Sequence, residues 1–238
     1  MVGLKWLRNS KRLWKHYWLP RKMQNSSISD LEVVPCVDSK YVKTSRAKFK
    51  QNGNQRTWDY VNVHDAVAIM LFHTTRKAFI LVRQFRPALY MFLNNEANGK
   101  ERSDLSEEKG EVAITAPFQS AVTYELCAGI VDKRKTLKEI AKEEVLEETG
   151  YEISTDQLEE LFSCRGVGTS GNKVSLFYAE VNDEMRVGEG GGNPDENEVI
   201  DVEYLPLEQA KDFVFDDSKA KPASLVAAFM WYFWKHKN

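Results

Sequence analysis

The stretch that decides the fold is GIVDKRKTLKEIAKEEVLEETGY, Gly129 to Tyr151. Thr136 and Glu139 have the spacing of a capping box, which predicts that a helix begins there. Gly150 is suited to end this helix, because glycine readily adopts the left-handed conformation found at helix C-termini. The stretch therefore predicts one amphipathic helix with a defined start and a defined stop.

Three glutamates stand near the end of this helix, where the helix dipole makes negative charge unfavourable. At about 100° per residue, they fall on the same side of the helix as its apolar stripe. The glutamates are Glu144, Glu147 and Glu148, and the stripe consists of Leu137, Ile140, Ala141 and Val145. A run of acids is usually a solvated face, but partly buried carboxylates repel one another. A divalent cation removes that repulsion, so the helix predicts a site for Mg²⁺ or Mn²⁺.

A metal ion held by a few carboxylates is typical of sites that handle phosphate. The sequence RQFRP places Arg83 and Arg86 at the end of a strand, and an arginine fork matches phosphate geometry. The alternative for either arginine alone is an ordinary surface residue. The later sequence DENE contributes Asp195, Glu196 and Glu198, and an acid from this loop is a candidate general base. The alternative for these acids is a solvated loop.

The 129–151 stretch resembles the Nudix box, G-x5-E-x7-R-E-U-x-E-E-x-G-U, in which U is aliphatic. Tyr151 takes the final apolar position of the pattern. Six further residues match the pattern in register: Gly129, Glu144, Val145, Glu147, Glu148 and Gly150. Two positions depart from the pattern, because Lys135 replaces the first Glu and Glu143 replaces the Arg. Both charges are reversed together, which predicts an ion pair of inverted polarity. The alternative is that both side chains face water.

The resemblance covers roughly residues 41–235 and includes RQFRPALY, ELCAGIVD and GVGTSGN. It is closest to the Nudix branch that hydrolyses ADP-ribose and nucleoside diphosphate sugars. It implies an α+β fold, an α/β/α sandwich around a mixed sheet, with a small N-terminal antiparallel sheet. The implied reaction is Mg²⁺-dependent hydrolysis of UDP-glucose to UMP and glucose 1-phosphate. One alternative is hydrolysis of ADP-ribose to AMP and ribose 5-phosphate, and another is a non-catalytic Nudix-fold nucleotide-binding protein.

The resemblance also implies individual roles for residues of this chain. It implies four oxygen ligands for Mg²⁺, or for Mn²⁺ as the alternative ion: Glu144, Glu148, the Ala128 carbonyl and Glu198. It also implies that Glu147 supports these ligands in catalysis and that Glu196 is the candidate general base. Arg86 would hold the diphosphate, with Arg83 as a second substrate-binding candidate.

The chain divides into three predicted parts. Residues 1–30 form a basic N-terminal extension, in which residues 1–22 contain seven Lys or Arg and no acid and have the pattern of an amphipathic helix. Residues 31–62 alternate apolar and polar side chains, which predicts a small antiparallel sheet. The resemblance implies that this sheet is exchanged between two subunits of a homodimer. Residues 63–238 form the Nudix hydrolase domain, in which the polar residues 92–117 predict a long loop.

Charge and cysteine content limit the kinds of binding partner and the cellular compartment that the sequence predicts. After residue 22 the chain has 26 basic and 35 acidic residues, which argues against nucleic acid as a partner. The three cysteines are far apart and indicate neither a disulfide framework nor a zinc site. A reducing compartment, the cytoplasm, is therefore predicted. The basic N-terminus predicts mitochondrial targeting or membrane contact as the alternative.

Overall fold

The computed structural model describes residues 23, 26–99, 110–193, 195 and 198–236. The strands among them are β1 (Glu32–Val33), β2 (Lys43–Gln51), β3 (Asn54–Asn62), β4 (Ala66–His73), β5 (Ala78–Phe85), β6 (Gly110–Glu111), β7 (Val122–Glu125), β8 (Cys127–Ile130), β9 (Glu159–Arg165), β10 (Lys173–Val181) and β11 (Ile200–Pro206). The α-helices are α1 (Pro87–Ala97), α2 (Leu137–Glu144), α3 (Ala210–Val214) and α4 (Ala223–His236). None of the helices in this part of the chain is long and apolar enough to cross a bilayer. The amphipathic segment predicted over residues 1–22 lies outside the described residues.

A mixed sheet of seven strands forms the centre of the fold, with the strand order β11-β5-β4-β10-β9. β4 pairs with β5 only near their connecting turn, where Leu71 lies opposite Ile80 and His73 opposite Ala78. Beyond that point the two strands diverge like a fork, and β7 pairs with β5 while β8 pairs with β4. β10 runs parallel to β4, and the other pairings in the sheet are antiparallel. The fork therefore opens the sheet at one end, between β4 and β5.

Side chains alternate between the two faces of this sheet and build an apolar cluster on each. The cluster that packs against α2 includes Val67, Ile69, Leu71, Ile80, Ile140, Val145 and Phe177. The cluster that packs against α3 and α4 includes Met70, Phe79, Leu81, Phe213, Leu225, Phe229 and Tyr232. Helices thus cover both faces of the sheet, which confirms the predicted α+β class and the α/β/α sandwich.

The predicted small N-terminal sheet exists as the pair β2 and β3. They are antiparallel over nine positions, from Lys43 opposite Asn62 to Gln51 opposite Asn54. The prediction of one sheet across residues 31–62 is wrong for its first run, because β1 pairs with β6. The physical reason is that Leu31, just before β1, packs against a separate apolar cluster around Tyr90. This contact places β1 beside β6 and not beside β2 or β3.

The predicted loop over residues 92–117 is wrong at its start, because α1 continues to Ala97. The polar residue Asn94 is buried in this helix. Its side-chain amide donates to the carbonyl of Ala113 (2.8 Å), and its Oδ1 accepts the backbone N–H of Thr115 (2.8 Å). A side chain that looks like a loop residue in the sequence therefore satisfies backbone groups of the segment that follows the helix.

Candidate active site

The helix predicted from the acidic stretch has both of its predicted ends. The Thr136 backbone N–H donates to Glu139 Oε2 (2.8 Å), and the Glu139 backbone N–H donates to Thr136 Oγ1 (3.3 Å). These reciprocal bonds are the predicted capping box. After α2 the helix continues as a π-helical turn, Val145–Thr149, and Gly150 then ends it with φ of +76°. Such π-helical turns are frequent at functional sites.

A glycine-rich loop compensates the negative end of this helix. The Gly191 N–H donates to the carbonyl of Glu148 (2.9 Å), and the Gly192 N–H donates to the carbonyl of Glu147 (3.2 Å). These are carbonyls that a helix end leaves without partners inside the helix. Gly190 has φ of +71°, and a side chain at this position would overlap the Glu148 carbonyl. The helix can therefore carry acids at its C-terminus, because N–H groups of the loop meet its last carbonyls.

The three helix glutamates line one cleft of about 480 Å³ at the fork between β4 and β5. The charged side chains of the cleft are Asp132, Glu144, Glu147, Glu148, Glu198, Arg86 and Lys133. Its other lining residues are Tyr41, Ala66, Gln84, Ala128, Gly129, Ile130 and Asn193. The structure thus brings together the four residues predicted to hold a metal ion, Glu144, Glu148, Ala128 and Glu198.

Glu148 is the buried carboxylate of the cleft, with 3% of its surface exposed. Its Oε2 accepts the backbone N–H of Ala128 (3.0 Å). Burial raises the pKa of Glu148 to about 8, and the negative charges of Glu144 and Glu198 act in the same direction. A cation in the cleft would oppose this effect, because an opposite charge favours the ionised carboxylate.

Glu144 and Glu147 reach the same cleft with different exposure. Glu144 is half-buried, whereas Glu147 is exposed. A side chain at Gly129 would overlap the carboxylate of Glu144, so glycine at this position allows the acid to lie directly over β8. The solvent exposure of the three glutamates predicted to face inward therefore increases from the buried Glu148 through Glu144 to the exposed Glu147.

The structure separates the two predicted arginines. Arg86 lines the cleft and forms a bidentate pair with Glu125, in which Nε–H donates to Oε1 (2.7 Å) and Nη2–H donates to Oε2 (2.6 Å). The guanidinium of Arg83 instead lies over the ring of Tyr124, 4.9 Å from its centroid, and Tyr124 packs in the cluster beside α4. Successive strand residues point to opposite faces, so Gln84 faces the cleft and Arg83 does not. The structure therefore does not bring Arg83 to the predicted substrate site.

The loop after the glycines supplies Glu198. The Asn193 N–H donates to Glu198 Oε2 (3.1 Å), and the Glu198 N–H donates to the Asn193 carbonyl (3.2 Å). These bonds fold the loop back so that Glu198 reaches the cleft. Glu196, the predicted general base, lies outside the described residues, and its role stays a prediction.

The two departures from the Nudix box form the predicted ion pair. The Lys135 ammonium donates to Glu143 Oε1, and the ammonium of Lys133 lies 3.9 Å from Glu143 Oε2. The pair joins the segment after β8 to α2, which carries the cleft glutamates. Its polarity is the reverse of the one implied by the box, as the sequence predicted.

A double-mutant cycle tests whether this pair matters. Lys135→Glu is expected to lower activity by a factor of about two to five, because it places two acids together beside α2. Glu143→Arg is expected to cost more, since the new arginine opposes both Lys135 and Lys133. The double variant should recover most of both losses, measured as kcat/KM and as thermal midpoint. Purely additive losses would mean that the two residues are not coupled.

The donors of the cleft fit a hard divalent cation. They are carboxylate and carbonyl oxygens, the ligands that Mg²⁺ and Mn²⁺ prefer. Glu148 is a buried acid among like charges, an arrangement that a cation relieves. Within the described ranges, no three His, Cys, Asp or Glu side chains already surround one point at metal-ligand spacing. Glu147 and Glu198 are exposed, so a rotation of their side chains, which for Glu198 would break the bond from the Asn193 N–H, can bring them toward an ion held at Glu148.

Sequence reasoning missed several residues of the cleft and its surroundings, among them Gln84, Glu125 and Asn193. Glu125 carried the clearest signal, because it is a charged residue within the largely apolar stretch VTYELCAGIV. Only 8% of its surface is exposed, and a buried carboxylate requires a partner. That partner is Arg86, which the sequence could not place opposite β7.

Comparison with known proteins identifies the class. The sequence model of the NUDIX domain matches residues 62–227, which is more than half of the chain. The chain therefore belongs to this family and is a Nudix hydrolase, which confirms the family predicted from the box.

Particular relatives extend over most of the sequence. The chain is 35% identical to the uridine diphosphate glucose pyrophosphatase NUDT14 of Bos taurus over 209 residues, which is 87% of this chain and 94% of that protein. The Mus musculus protein of the same name is 34% identical over the same shares. A GDP-mannose pyrophosphatase of Escherichia coli (strain K12) is 32% identical over 151 residues, covering 63% of this chain and 64% of that protein.

A solved structure supports the fold. The crystal structure of an ADP compounds hydrolase matches 88% of this chain and 95% of its own, with a TM-score of 0.57 and 16% sequence identity. At this identity the similarity concerns the fold alone, and it agrees with the α/β/α sandwich described above.

Proposed function

We propose that this Nudix hydrolase cleaves the diphosphate bond of nucleoside diphosphate sugars, with UDP-glucose as the leading substrate and Mg²⁺ as the ion. The observation that carries the proposal is the cleft itself, in which Glu144, Glu147, Glu148 and Glu198 line the same space as Arg86. A diphosphate needs positive charge from more than one direction, and this cleft offers an arginine together with a set of cation ligands.

Each part of the cleft has a role in this proposal. Arg86 binds diphosphate oxygens through N–H groups of the guanidinium that face the cleft. Glu144, Glu148, Glu198 and the Ala128 carbonyl would hold the Mg²⁺ ion. When bound, the ion supplies charge neutralisation at phosphate oxygens and lowers the pKa of a bound water. Dividing the developing negative charge between two partners is the largest expected catalytic contribution.

The reaction balances with water as the only co-substrate. The oxygen of water forms a bond to one phosphorus, and the bond from that phosphorus to the bridging oxygen breaks. The bridging oxygen keeps the electron pair and leaves with the second phosphate. A carboxylate accepts the proton from water, and Glu196 stays the candidate for this step. UDP-glucose would thus give UMP and glucose 1-phosphate.

The preference for UDP-glucose is supported by the relatives that match nearly the whole chain. Both are named uridine diphosphate glucose pyrophosphatases, and 94% of their length is covered. The GDP-mannose pyrophosphatase matches a shorter region and supports the broader class of nucleotide sugars. ADP-ribose is the competing substrate, because the sequence does not visibly encode uracil against adenine.

A substrate panel tests the proposal directly. Purified protein is incubated with Mg²⁺ and equal concentrations of UDP-glucose, GDP-mannose and ADP-ribose, and the nucleoside monophosphate released is quantified. UDP-glucose is expected to give the highest kcat/KM, and EDTA is expected to stop the reaction. Faster release of AMP from ADP-ribose would reassign the substrate. Binding of these compounds without release of any monophosphate would identify a non-catalytic binding protein.

We further propose that two copies of the chain associate through the hairpin formed by β2 and β3. The hairpin carries large side chains that are exposed in the single chain: Phe49 (39%), Trp58 (48%) and Tyr60 (37%). Its hydrogen bonds to the rest of the described chain include Val61 N–H to the Thr169 carbonyl (2.7 Å) and Trp58 Nε1–H to the Gly168 carbonyl (3.3 Å). A hairpin with exposed aromatic side chains among its polar residues is suited to cover part of a second subunit.

Light scattering after gel filtration measures this association. The full chain is expected to have the mass of two copies. Phe49→Glu combined with Tyr60→Glu should shift the protein toward the mass of one copy, because it places charges on the apolar surface. Lys50→Glu on the same hairpin is the control, since Lys50 is already charged. A single-copy mass for the wild type would contradict the proposal.

A further inference from the structure

Glu125 lies behind the arginine of the cleft and contacts it at two points. Arg86 Nε–H donates to Glu125 Oε1 (2.7 Å), and Nη2–H donates to Oε2 (2.6 Å). The Thr123 hydroxyl donates to the same Oε1 at 2.5 Å. The Glu125 side chain is 11% exposed, whereas the Arg86 side chain, which lines the cleft, is 46% exposed. Thr123 thus holds the buried carboxylate of Glu125, and this carboxylate holds the guanidinium of Arg86.

The sheet places this acid at the fork. In the pairing of β7 with β5, Glu125 lies opposite Val82, and Thr123 lies opposite Gln84. Residues paired across two strands point to the same face, so Glu125 and Thr123 share the face of Gln84, which lines the cleft. Strand register therefore fixes the position of Glu125.

The backbone of Arg86 is fixed as well. Its N–H donates to the Ala121 carbonyl (3.0 Å), and its carbonyl accepts the N–H of Tyr90 (2.9 Å). Arg86 is also the N-cap of α1, with Pro87 as the first helical residue. With the backbone held at both sides, the remaining freedom of Arg86 is the rotation of its side chain. The bidentate pair with Glu125 removes that freedom.

We propose that Glu125 is a positioning residue that holds the Arg86 guanidinium in the orientation needed to bind the diphosphate, with Thr123 holding Glu125. This inference rests on the proposed function. It explains why a carboxylate lies close to a site for an anion, where its charge alone would repel the substrate. A bidentate pair uses one edge of the guanidinium and leaves the other N–H groups directed away from the carboxylate. Glu125 therefore determines which edge of Arg86 faces the substrate.

A role in positioning and a role through charge predict opposite effects. If Glu125 acted only by its charge, Glu125→Gln would remove a repulsion and lower the KM for a nucleotide sugar. If it positions Arg86, Glu125→Gln should lower kcat/KM roughly tenfold, because the arginine samples other rotamers. Thr123→Val should have a smaller effect of about two- to threefold, and Thr123→Ser should restore the wild-type value.

The experiment is a kinetic cycle combined with a spectroscopic signal. Glu125→Gln is measured in the wild-type and in the Arg86→Lys background with the best substrate of the panel. The Arg86 Nε–H resonance, assigned by its absence in Arg86→Lys, is followed by ¹⁵N NMR. Glu203→Gln is the matched control, since Glu203 lies 3.8 Å from Arg83 on the opposite face of the sheet.

The expected result is a loss for Glu125→Gln that disappears in the Arg86→Lys background, together with a shifted or exchange-broadened Arg86 resonance. Glu203→Gln should change neither. Losses that multiply across the cycle, or an unchanged Arg86 resonance, would overturn the inference while leaving the proposed function intact. If Glu125→Gln does not fold, Thr123→Val carries the same cycle. A wild type that hydrolyses nothing in the panel would instead refute the proposed function, and the positioning role would fall with it.

Discussion

Glu148→Gln is expected to remove most hydrolysis, by roughly a hundredfold or more, and to stabilise the metal-free protein. The variant deletes the charge of a proposed metal ligand but keeps its size. The amide oxygen of the introduced glutamine can still accept the Ala128 N–H, so the local structure should persist. Loss of function would then accompany a gain in stability, a combination that general misfolding does not produce.

The stability gain has a defined pH dependence. The folded-state pKa of Glu148 is raised from 4.5 to about 8, so the folded metal-free protein favours the neutral acid. Below the unfolded pKa this group does not penalise folding. As the pH rises from about 4.5 to about 8, the unfolded chain ionises more readily than the folded one, and the wild type loses stability. Glutamine does not ionise, so its advantage should be on the order of a few kcal/mol near pH 8 and small near pH 5.

Thermal unfolding in EDTA at these two pH values, together with turnover at limiting Mg²⁺, measures both effects. Glu147→Gln is the control for stability, because Glu147 is on the same helical turn but exposed. Because it keeps Glu148, its thermal midpoint should fall with pH as that of the wild type does, and the difference between the two midpoints should be small at both pH values. Near wild-type turnover of Glu148→Gln at limiting Mg²⁺ would remove Glu148 from the set of metal ligands.

Arg86→Lys is expected to lower kcat/KM at least about tenfold. Lysine keeps the positive charge but has a single ammonium, which cannot form the bidentate pair with Glu125 and also present a fork of donors to a diphosphate. The matched control is Arg83→Lys, close by on the same strand but on the opposite face. Steady-state kinetics with UDP-glucose would separate the two. A loss in Arg83→Lys with wild-type behaviour of Arg86→Lys would show that the structure points to the wrong arginine.

The parts of the site that could be predicted from the sequence are those encoded within one helix. The capping box, the stop at Gly150 and the common direction of Glu144 and Glu148 all depend on residues a few positions apart. The inverted pair of Lys135 and Glu143 was also accessible, because a known pattern fixed both positions. Helical periodicity makes such contacts readable before any tertiary structure is known.

The parts that could not be predicted depend on pairing between distant segments. Strand β9 gives little signal in the sequence, because EELFSCR lacks a clear alternation of apolar and polar residues. Glu125 meets Arg86 only through the register of β7 with β5, across 39 positions of sequence. Arg83 was misplaced for a related reason, since two arginines three positions apart on a strand end do not share a face. The pairing register of a strand, and the face of the sheet to which each of its side chains points, are set by the sheet as a whole.

The fork between β4 and β5 has a consequence for how substrates are told apart. Arg86 follows the end of β5, and Ala128 belongs to β8, which pairs with β4. Backbone hydrogen bonds of the sheet therefore set the distance between Arg86, the proposed diphosphate ligand, and Ala128, a proposed metal ligand. The cleft residues Tyr41 and Asn193, in contrast, belong to loops, which change more easily than a sheet does. Substitutions in these loops can therefore change the nucleotide or the sugar that the cleft accepts. The spacing between the groups proposed to hold the diphosphate and its metal ion would stay the same.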